Sequence, residues 1–282
     1  MEDVLENIFE AGRRAEREGD ERASALTVAG SDSGGGAGLQ ADLKTFAACG
    51  LHGTCVVTNV TAQNTVDVST LEVLPEPIVR QQYTAVLDDF EVRAAKTGAL
   101  GNGRTIRIVA ELLDDQPPGR VVVDPVMISK QGDPLLPEPA RERLRDDLLP
   151  AADIATPNRW EAETLTGETV RGVSSMKEVA ERIFDLGPDA VVVKGSHLDG
   201  VVKDIMYDGT GFVEYGADKI DTDRLHGSGC VYSSAITARL AAGIDLPEAV
   251  GFAREFITAA IETAPRVGHG ISPVNPMHTC WD

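Results

Sequence analysis

The sequence predicts a three-layer α/β domain built on a mainly parallel sheet. Short valine-rich apolar runs recur along the chain, segments with apolar residues at helical spacing follow them, and brief glycine- or proline-containing loops join the two. Repeated βα units of this kind favour helices on both faces of a parallel sheet, because each crossover must carry the chain back across a face. In such a sheet, ligands bind beyond the carboxyl ends of the strands.

Each element follows in turn. Residues 25–29 read as a buried strand ending in the glycine cluster Gly30-Ser31-Asp32-Ser33-Gly34-Gly35-Gly36-Ala37-Gly38. Leu39, Leu43, Phe46 and Ala47 then repeat at helical spacing until Gly50. Residues 55–58 are strand-like, and residues 75–87 are helical with Ile78, Tyr83, Val86 and Leu87 as core candidates. A strand over 92–96 ends near Gly98, and Ile106, Val109, Ala110, Leu112 and Leu113 mark a helix cut off before Pro117-Pro118-Gly119. Val121, Val122 and Val123 form the clearest buried strand and deliver Asp124 and Pro125 to its end.

A helix over 140–149, a short strand over 154–156 and a helix over 176–184 follow. Val191, Val192 and Val193 then deliver Lys194 and Gly195. Residues 201–207 and 212–215 flank Asp208-Gly209-Thr210-Gly211 as a hairpin, and helices over 231–242 and 249–264 lead to an irregular tail from His269. The first 24 residues read as an extension, with Val4, Leu5, Ile8 and Phe9 along one side of a short helix and a charged stretch over 13–22. Residues 25–282 are expected to form a single domain.

Composition narrows the function. Lys and Arg number 26 against 45 Asp and Glu, a formal net charge of -19. That balance opposes binding to nucleic-acid backbones and anionic membranes. Only seven of the basic residues are lysine and the acids are spread along the chain, a pattern that points to a salt-rich cytoplasm. An anionic substrate therefore needs a local electropositive site. The cysteines Cys49, Cys55, Cys230 and Cys280 lack zinc-like spacing, no signal peptide is evident, and no apolar run approaches the ~18 residues of a membrane span. A cytoplasmic protein is expected.

The carboxyl ends of the expected strands gather the candidate site residues. The glycine cluster at 30–38 lacks the Gly-Lys-Ser/Thr of a phosphate-binding Walker loop and the compact dinucleotide fingerprint, which disfavours a dehydrogenase; it reads as a ligand-covering loop or a flexible turn. Asp42 is either a solvated helix carboxylate or an acceptor turned toward the cleft. Gln63 and Asn64 have the donors and acceptors to face a planar heterocycle. Lys194 leaves a buried strand and must reach solvent or an anion. Glu161 and Glu163, near Asn158, suit either water-mediated Mg²⁺ binding or a helix cap.

The segment from His226 through Gly227, Ser228, Gly229 and Cys230 is sharper. Unbonded N–H groups at a helix start, with glycines allowing close approach, make an anion site suited to phosphoryl transfer. Cys230 in the first turn is either an inert thiol or one shifted toward thiolate by the helix dipole.

Taken together, these segments resemble the hydroxymethylpyrimidine/phosphomethylpyrimidine kinases of thiamine biosynthesis. The resemblance runs through residues 25–46, Ala62-Gln63-Asn64-Thr65, Asp124-Pro125-Val126-Met127, Lys130 with Gly132-Asp133-Pro134-Leu135-Leu136, Thr156-Pro157-Asn158 with Glu161, Lys194-Gly195-Ser196-His197, His226-Gly227-Ser228-Gly229-Cys230 and Gly268-His269-Gly270. It implies a ribokinase-like fold, usually dimeric, and ATP-dependent phosphorylation of 4-amino-5-hydroxymethyl-2-methylpyrimidine and then of its monophosphate. It places Gly30, Ala37, Asp42, Gln63 and Val126 around the pyrimidine. Lys194, Asn158 and Gly229 would meet the nucleotide, Glu161 would act near Mg²⁺, and Gly227 to Cys230 would form the anion hole, with Cys230 as base or positioning group.

One departure is Ala99, where many members of that family carry methionine. A pyridoxal-type kinase is the nearest rival reading, and a catalytically silent binder of thiamine precursors the rival from another class.

Overall fold

The computed structural model describes residues 23–129, 134–195 and 201–280. The expected N-terminal helix, Lys130, Gly132, Asp133, Ser196 and His197 lie outside them.

Nine strands form one sheet: β1 (Ser24–Asp32), β2 (His52–Gln63), β3 (Val68–Val73), β4 (Val92–Thr97), β5 (Arg120–Val123), β6 (Ile154–Ala155), β7 (Val191–Val193), β8 (Val201–Tyr207) and β9 (Phe212–Asp218). The order is β3-β2-β1-β4-β5-β6-β7-β8-β9. Pairings from β2 through β7 are parallel, while β3 and the β8–β9 hairpin add antiparallel edges.

Alternation along the strands explains the layers. Leu26, Val28, Val121, Val123, Val191 and Val193 enter one core, whereas Ala25, Val122 and Val192 enter the other. A period of two in apolar residues on both faces requires a helical cover on each side. The first face is covered by α2 (Glu76–Leu87), α3 (Gly103–Asp115), α4 (Glu138–Arg143), α5 (Arg159–Thr166) and α6 (Val173–Phe184). The second is covered by α1 (Gly38–Ala48), α7 (Ser228–Ala241) and α8 (Leu246–Glu262). Every residue of α7 from Val231 to Ala241 is buried. A helix buried on all sides belongs inside a layer rather than on the surface, and its polar members bond inward, as Ser233 does to Asp124 and Ser234 to Asp42.

Several expectations need correction. The edge strand β3 and helix α5 were not among the expected elements. In α2 the buried pair is Val79 and Tyr83, four residues apart on one face, while Ile78 is 41% exposed. The helix expected over 140–149 is α4 continued by a π-helical turn, Leu144–Leu148, and a short 3-10 turn, Leu149–Ala151. Pro150 sits in that tighter turn, where it lacks the N–H that a regular helix would use.

Candidate active site

The strands deliver their carboxyl ends to one cleft of about 450 Å³. Gly30, Ala37, Asp42, Gln63, Val126, Asn158, Glu161, Lys194, Gly227, Ser228, Gly229 and Cys230 all line it. Residues from six separate loops are thus brought together as the topology required.

On the side of β1, β2 and β4, Asp42 is neither solvated nor loosely placed. It is fully buried and accepts from Lys96 Nζ (2.9 Å), Thr27 Oγ1 (2.6 Å) and Ser234 Oγ (2.8 Å). Lys96, from β4, is equally buried. Although desolvation opposes its charge, Asp42 and the neighbouring acids hold the Lys96 ammonium above its ordinary range. Gln63 and Asn64 separate in role. The Asn64 Oδ1 accepts from the Val66 and Asp67 N–H groups and closes the β2–β3 turn, whereas Gln63 stays at the cleft with Oε1 accepting from Thr61 Oγ1. Gly30 is required by space, since a Cβ there would stand 2.2 Å from Asn59 Oδ1.

On the side of β5, β6 and β7, Asp124 is buried and accepts from Lys194 Nζ (3.0 Å), Ser233 Oγ (3.2 Å) and Thr156 Oγ1 (3.3 Å). Burial works against the Asp124 charge, but Lys194 and Lys96 outweigh it and hold the carboxyl below the usual range. Glu161 caps α5 in a reciprocal box. Its Oε2 accepts from Asn158 N–H (2.7 Å), and Asn158 Oδ1 accepts from Glu161 N–H (3.0 Å). Burial pushes the Glu161 carboxyl up to about 8, opposed by Lys194 and reinforced by Asp124. Glu163 is not part of this cluster; it pairs with Arg159 (3.2 Å) and accepts from Val170 N–H.

The helix start closes the cleft between these groups. Gly227 has φ +76°, and a Cβ there would stand 1.9 Å from the Gly36 carbonyl oxygen, so both backbone and space demand glycine. The first helical bond of α7 runs from Val231 N–H to Gly227 O, which leaves the earlier Gly229 and Cys230 N–H groups as donors at the helix start. The Ser228 N–H is spent on Leu225 O (3.2 Å), contrary to its expected place among the free donors. Beside Gly229, a Cβ would lie 3.5 Å from Lys194 Nζ.

Of the two readings of Cys230, the surroundings favour the inert thiol over the thiolate. Desolvation pushes it up to about 12; Lys96 pulls against this, but Asp42 and Asp124 add to the rise. At neutral pH the residue is a thiol. Loss of solvation is the largest contribution, ahead of the charges around the thiol.

Sequence reasoning gave no individual role to Asp32, Lys96, Asp124 or His226, although each falls in or at the end of a segment it singled out. Asp124 and Lys96 carried a signal, a charged residue at or near the end of a buried strand. Their pairing partners lie 54 residues away or more and left no local mark.

Strand ends that meet paired lysines and a glycine helix start, on a sheet of this order, define a ribokinase-like kinase. The family model described as "Phosphomethylpyrimidine kinase" matches residues 32–275. A hydroxymethylpyrimidine/phosphomethylpyrimidine kinase of Rhizobium meliloti is 45% identical over 263 residues, covering 92% of this chain and 98% of that protein. The crystal structure of a phosphomethylpyrimidine kinase from Clostridium difficile superposes with a TM-score of 0.77 at 44% identity, covering 85% of this chain and 100% of that one. An ADP complex of Bacillus subtilis pyridoxal kinase does so with a TM-score of 0.83 at 35% identity, covering 90% and 97%. The chain belongs to the phosphomethylpyrimidine kinase family. Among the described residues no helix is long and apolar enough to cross a membrane.

Proposed function

We propose that this cleft transfers the γ-phosphoryl group of ATP to the hydroxymethyl oxygen of 4-amino-5-hydroxymethyl-2-methylpyrimidine, and then a second phosphoryl group to the monophosphate, for thiamine biosynthesis. The observation that carries the reading is the convergence of two unlike half-sites on one cleft. Gly30, Ala37, Asp42, Gln63 and Val126 line the acceptor half, and Asn158, Glu161, Lys194 and Gly229 line the phosphoryl half.

In this reading the acceptor oxygen bonds to the γ-phosphorus while the bond to the β,γ-bridging oxygen breaks, and the hydroxyl proton is lost. Such transfers depend mainly on positioning and charge stabilisation rather than on a strong base. Lys194 and the helix-start N–H groups supply that stabilisation. Cys230, a thiol at neutral pH, positions the acceptor rather than receiving its proton.

The residues present fit a magnesium ion that keeps its waters: Asp124 and Glu161, two hard carboxylates, both line the cleft beside Lys194, and a cation there would favour the ionised form of Glu161, whose carboxyl burial pushes up to about 8. A bound Mg²⁺ would neutralise charge on the nucleotide phosphates. Residues 25–282 act as one kinase domain with 1–24 as an extension, and the protein works as a cytoplasmic homodimer adapted to high salt.

The test is steady-state phosphorylation of the pyrimidine, its monophosphate and pyridoxal with Mg²⁺ and ATP, across salt concentration. Turnover of both pyrimidines is expected; turnover of neither overturns the reading. Ala99 at the cleft, a small residue, favours pyridoxal as a second acceptor, and use of the monophosphate separates the two readings.

A further inference from the structure

Asp32 and His226 line the cleft, yet the chemistry proposed above uses neither. Asp32 organises the glycine-rich loop. Its Oδ1 accepts from Gly34 N–H (2.8 Å), and its Oδ2 accepts from Gly36 (3.1 Å) and Ala37 (2.9 Å). The same Oδ2 lies 2.9 Å from His226 Nε2. Both residues are 4% exposed. Burial works against the Asp32 charge, but the His226 ring and the Gly34 and Ala37 amides hold the carboxyl below its ordinary range. An ionised carboxylate has no proton to give, so Nε2–H donates. That leaves Nδ1 of His226, a buried atom without a partner among the described residues.

The packing around the pair is closed. A Cβ on Gly36 would stand 2.4 Å from His226 Cδ2, and one on Gly227 would meet the Gly36 carbonyl. The His226 backbone is held by the C-terminal segment: its N–H donates to Ser272 O (3.2 Å) and its carbonyl accepts from Val274 N–H (3.1 Å). Two residues earlier, the Gly270 and Ile271 N–H groups bind Thr65, beside the turn that follows Gln63. The loop over the acceptor, the helix start and the C-terminal segment therefore meet at one side chain.

We infer that the His226–Asp32 pair is a positioning device that locks the acceptor-covering loop onto the phosphoryl-binding helix start, so that a closed acceptor pocket and a formed anion site are one structural state. The inference rests on the roles proposed for those two half-sites. A protein with the lock broken binds nucleotide without sealing the acceptor, and water competes for the phosphoryl group.

The experiment measures kcat and KM for both pyrimidine acceptors, and the ATP hydrolysed per pyrimidine phosphorylated, in His226→Ala, His226→Gln and Asp32→Asn, each checked for folding by circular dichroism. His226→Ala is expected to lower kcat roughly 10- to 100-fold, as for loss of a hydrogen bond to a charged group, and to raise the hydrolysis ratio. His226→Gln keeps an N–H at about the same reach and recovers kcat to within about 5-fold, with coupling restored. Asp32→Asn behaves like His226→Ala. A folded His226→Ala with a lower Tm but unchanged kcat, KM and hydrolysis ratio overturns the inference, because a purely structural role predicts that outcome. Should His226→Ala not fold, the other two decide: unchanged coupling in a folded Asp32→Asn overturns it. Wild-type protein that turns over neither acceptor overturns the functional reading instead, whatever the variants do.

Discussion

Two charged clusters lie under the cleft, and they are built differently. Beneath the acceptor half, one carboxylate meets one ammonium: Asp42 and Lys96 are both fully buried, and two hydroxyls complete the Asp42 shell. Beneath the phosphoryl half, Asp124 and Glu161 flank the ammonium of Lys194, and Lys96 adds a second positive charge near Asp124. The first cluster is balanced and closed, as a structural element must be, since an unpaired buried charge is costly. In the second, burial first and the Asp124 charge after it shift the Glu161 carboxyl to about 8 against the pull of Lys194, so that it keeps its proton at neutral pH.

The contrast is broken most forcefully at Lys194. Lys194→Ala should lower kcat/KM roughly 10²- to 10³-fold for both phosphorylations, the usual loss when one donor to developing charge is removed. A loss confined to one step would mean that the lysine serves an acceptor rather than the transferred group.

The closed cluster answers in stability. Lys96→Met should cost about 3–5 kcal/mol in denaturant unfolding by stranding Asp42, and adding Asp42→Asn should restore most of it. If the double variant stays as unstable as the single one, the pair is not the self-contained unit described.

Glu161 sharpens the comparison through pH. Its folded pKa of about 8 lies above the 4.5 of an ordinary glutamate. Between those values the unfolded chain has lost the proton that the folded protein keeps, so stability falls as pH rises through that window. Thermal unfolding without cation or nucleotide should show this decline from pH 5 to 8, and Glu161→Gln should flatten it. Parallel curves for the two proteins would mean that another group titrates in that window.

The smallest effect is expected at Cys230, between the clusters. Cys230→Ala should impair the first phosphorylation more than the second, by roughly tenfold at most, because the monophosphate brings its own phosphate as a second anchor and depends less on one positioning contact. The kcat/KM profiles of wild type and Cys230→Ser should share one shape from pH 6 to 9. An inflection near neutrality present only in the wild type would restore the thiolate base.

How much of this could be read in advance follows from distance along the chain. Val121, Val122 and Val123 announced a strand and its active edge locally, and the glycines at 227 and 229 announced the helix start. Strand β3 escaped because its residues are intermediate or exposed, the weak pattern of a sheet edge. The partners of Asp42 and Asp32 escaped because Ser234 is 192 residues and His226 is 194 residues away. A lysine such as Lys96, with no exposure at all, runs against the ordinary preference of its type. The state of the Cys230 thiol stayed open because a helix start can be seen in sequence, whereas the burial of the thiol and the nearby acids, Asp42 of α1 and Asp124 after β5, cannot.

Helix α7, buried throughout from Val231 to Ala241, has a consequence for how the protein is made. Helices α7 and α8, with α1, cover the second face of the sheet, and both are encoded after residue 227. While earlier strands leave the ribosome, Val122, Ile154 and Val192 have no helix from the later segment above them. Asp42 and Asp32 likewise wait for Ser234 and His226. The nascent chain carries an uncovered apolar face for most of its synthesis, the condition under which aggregation competes with folding and chaperones matter.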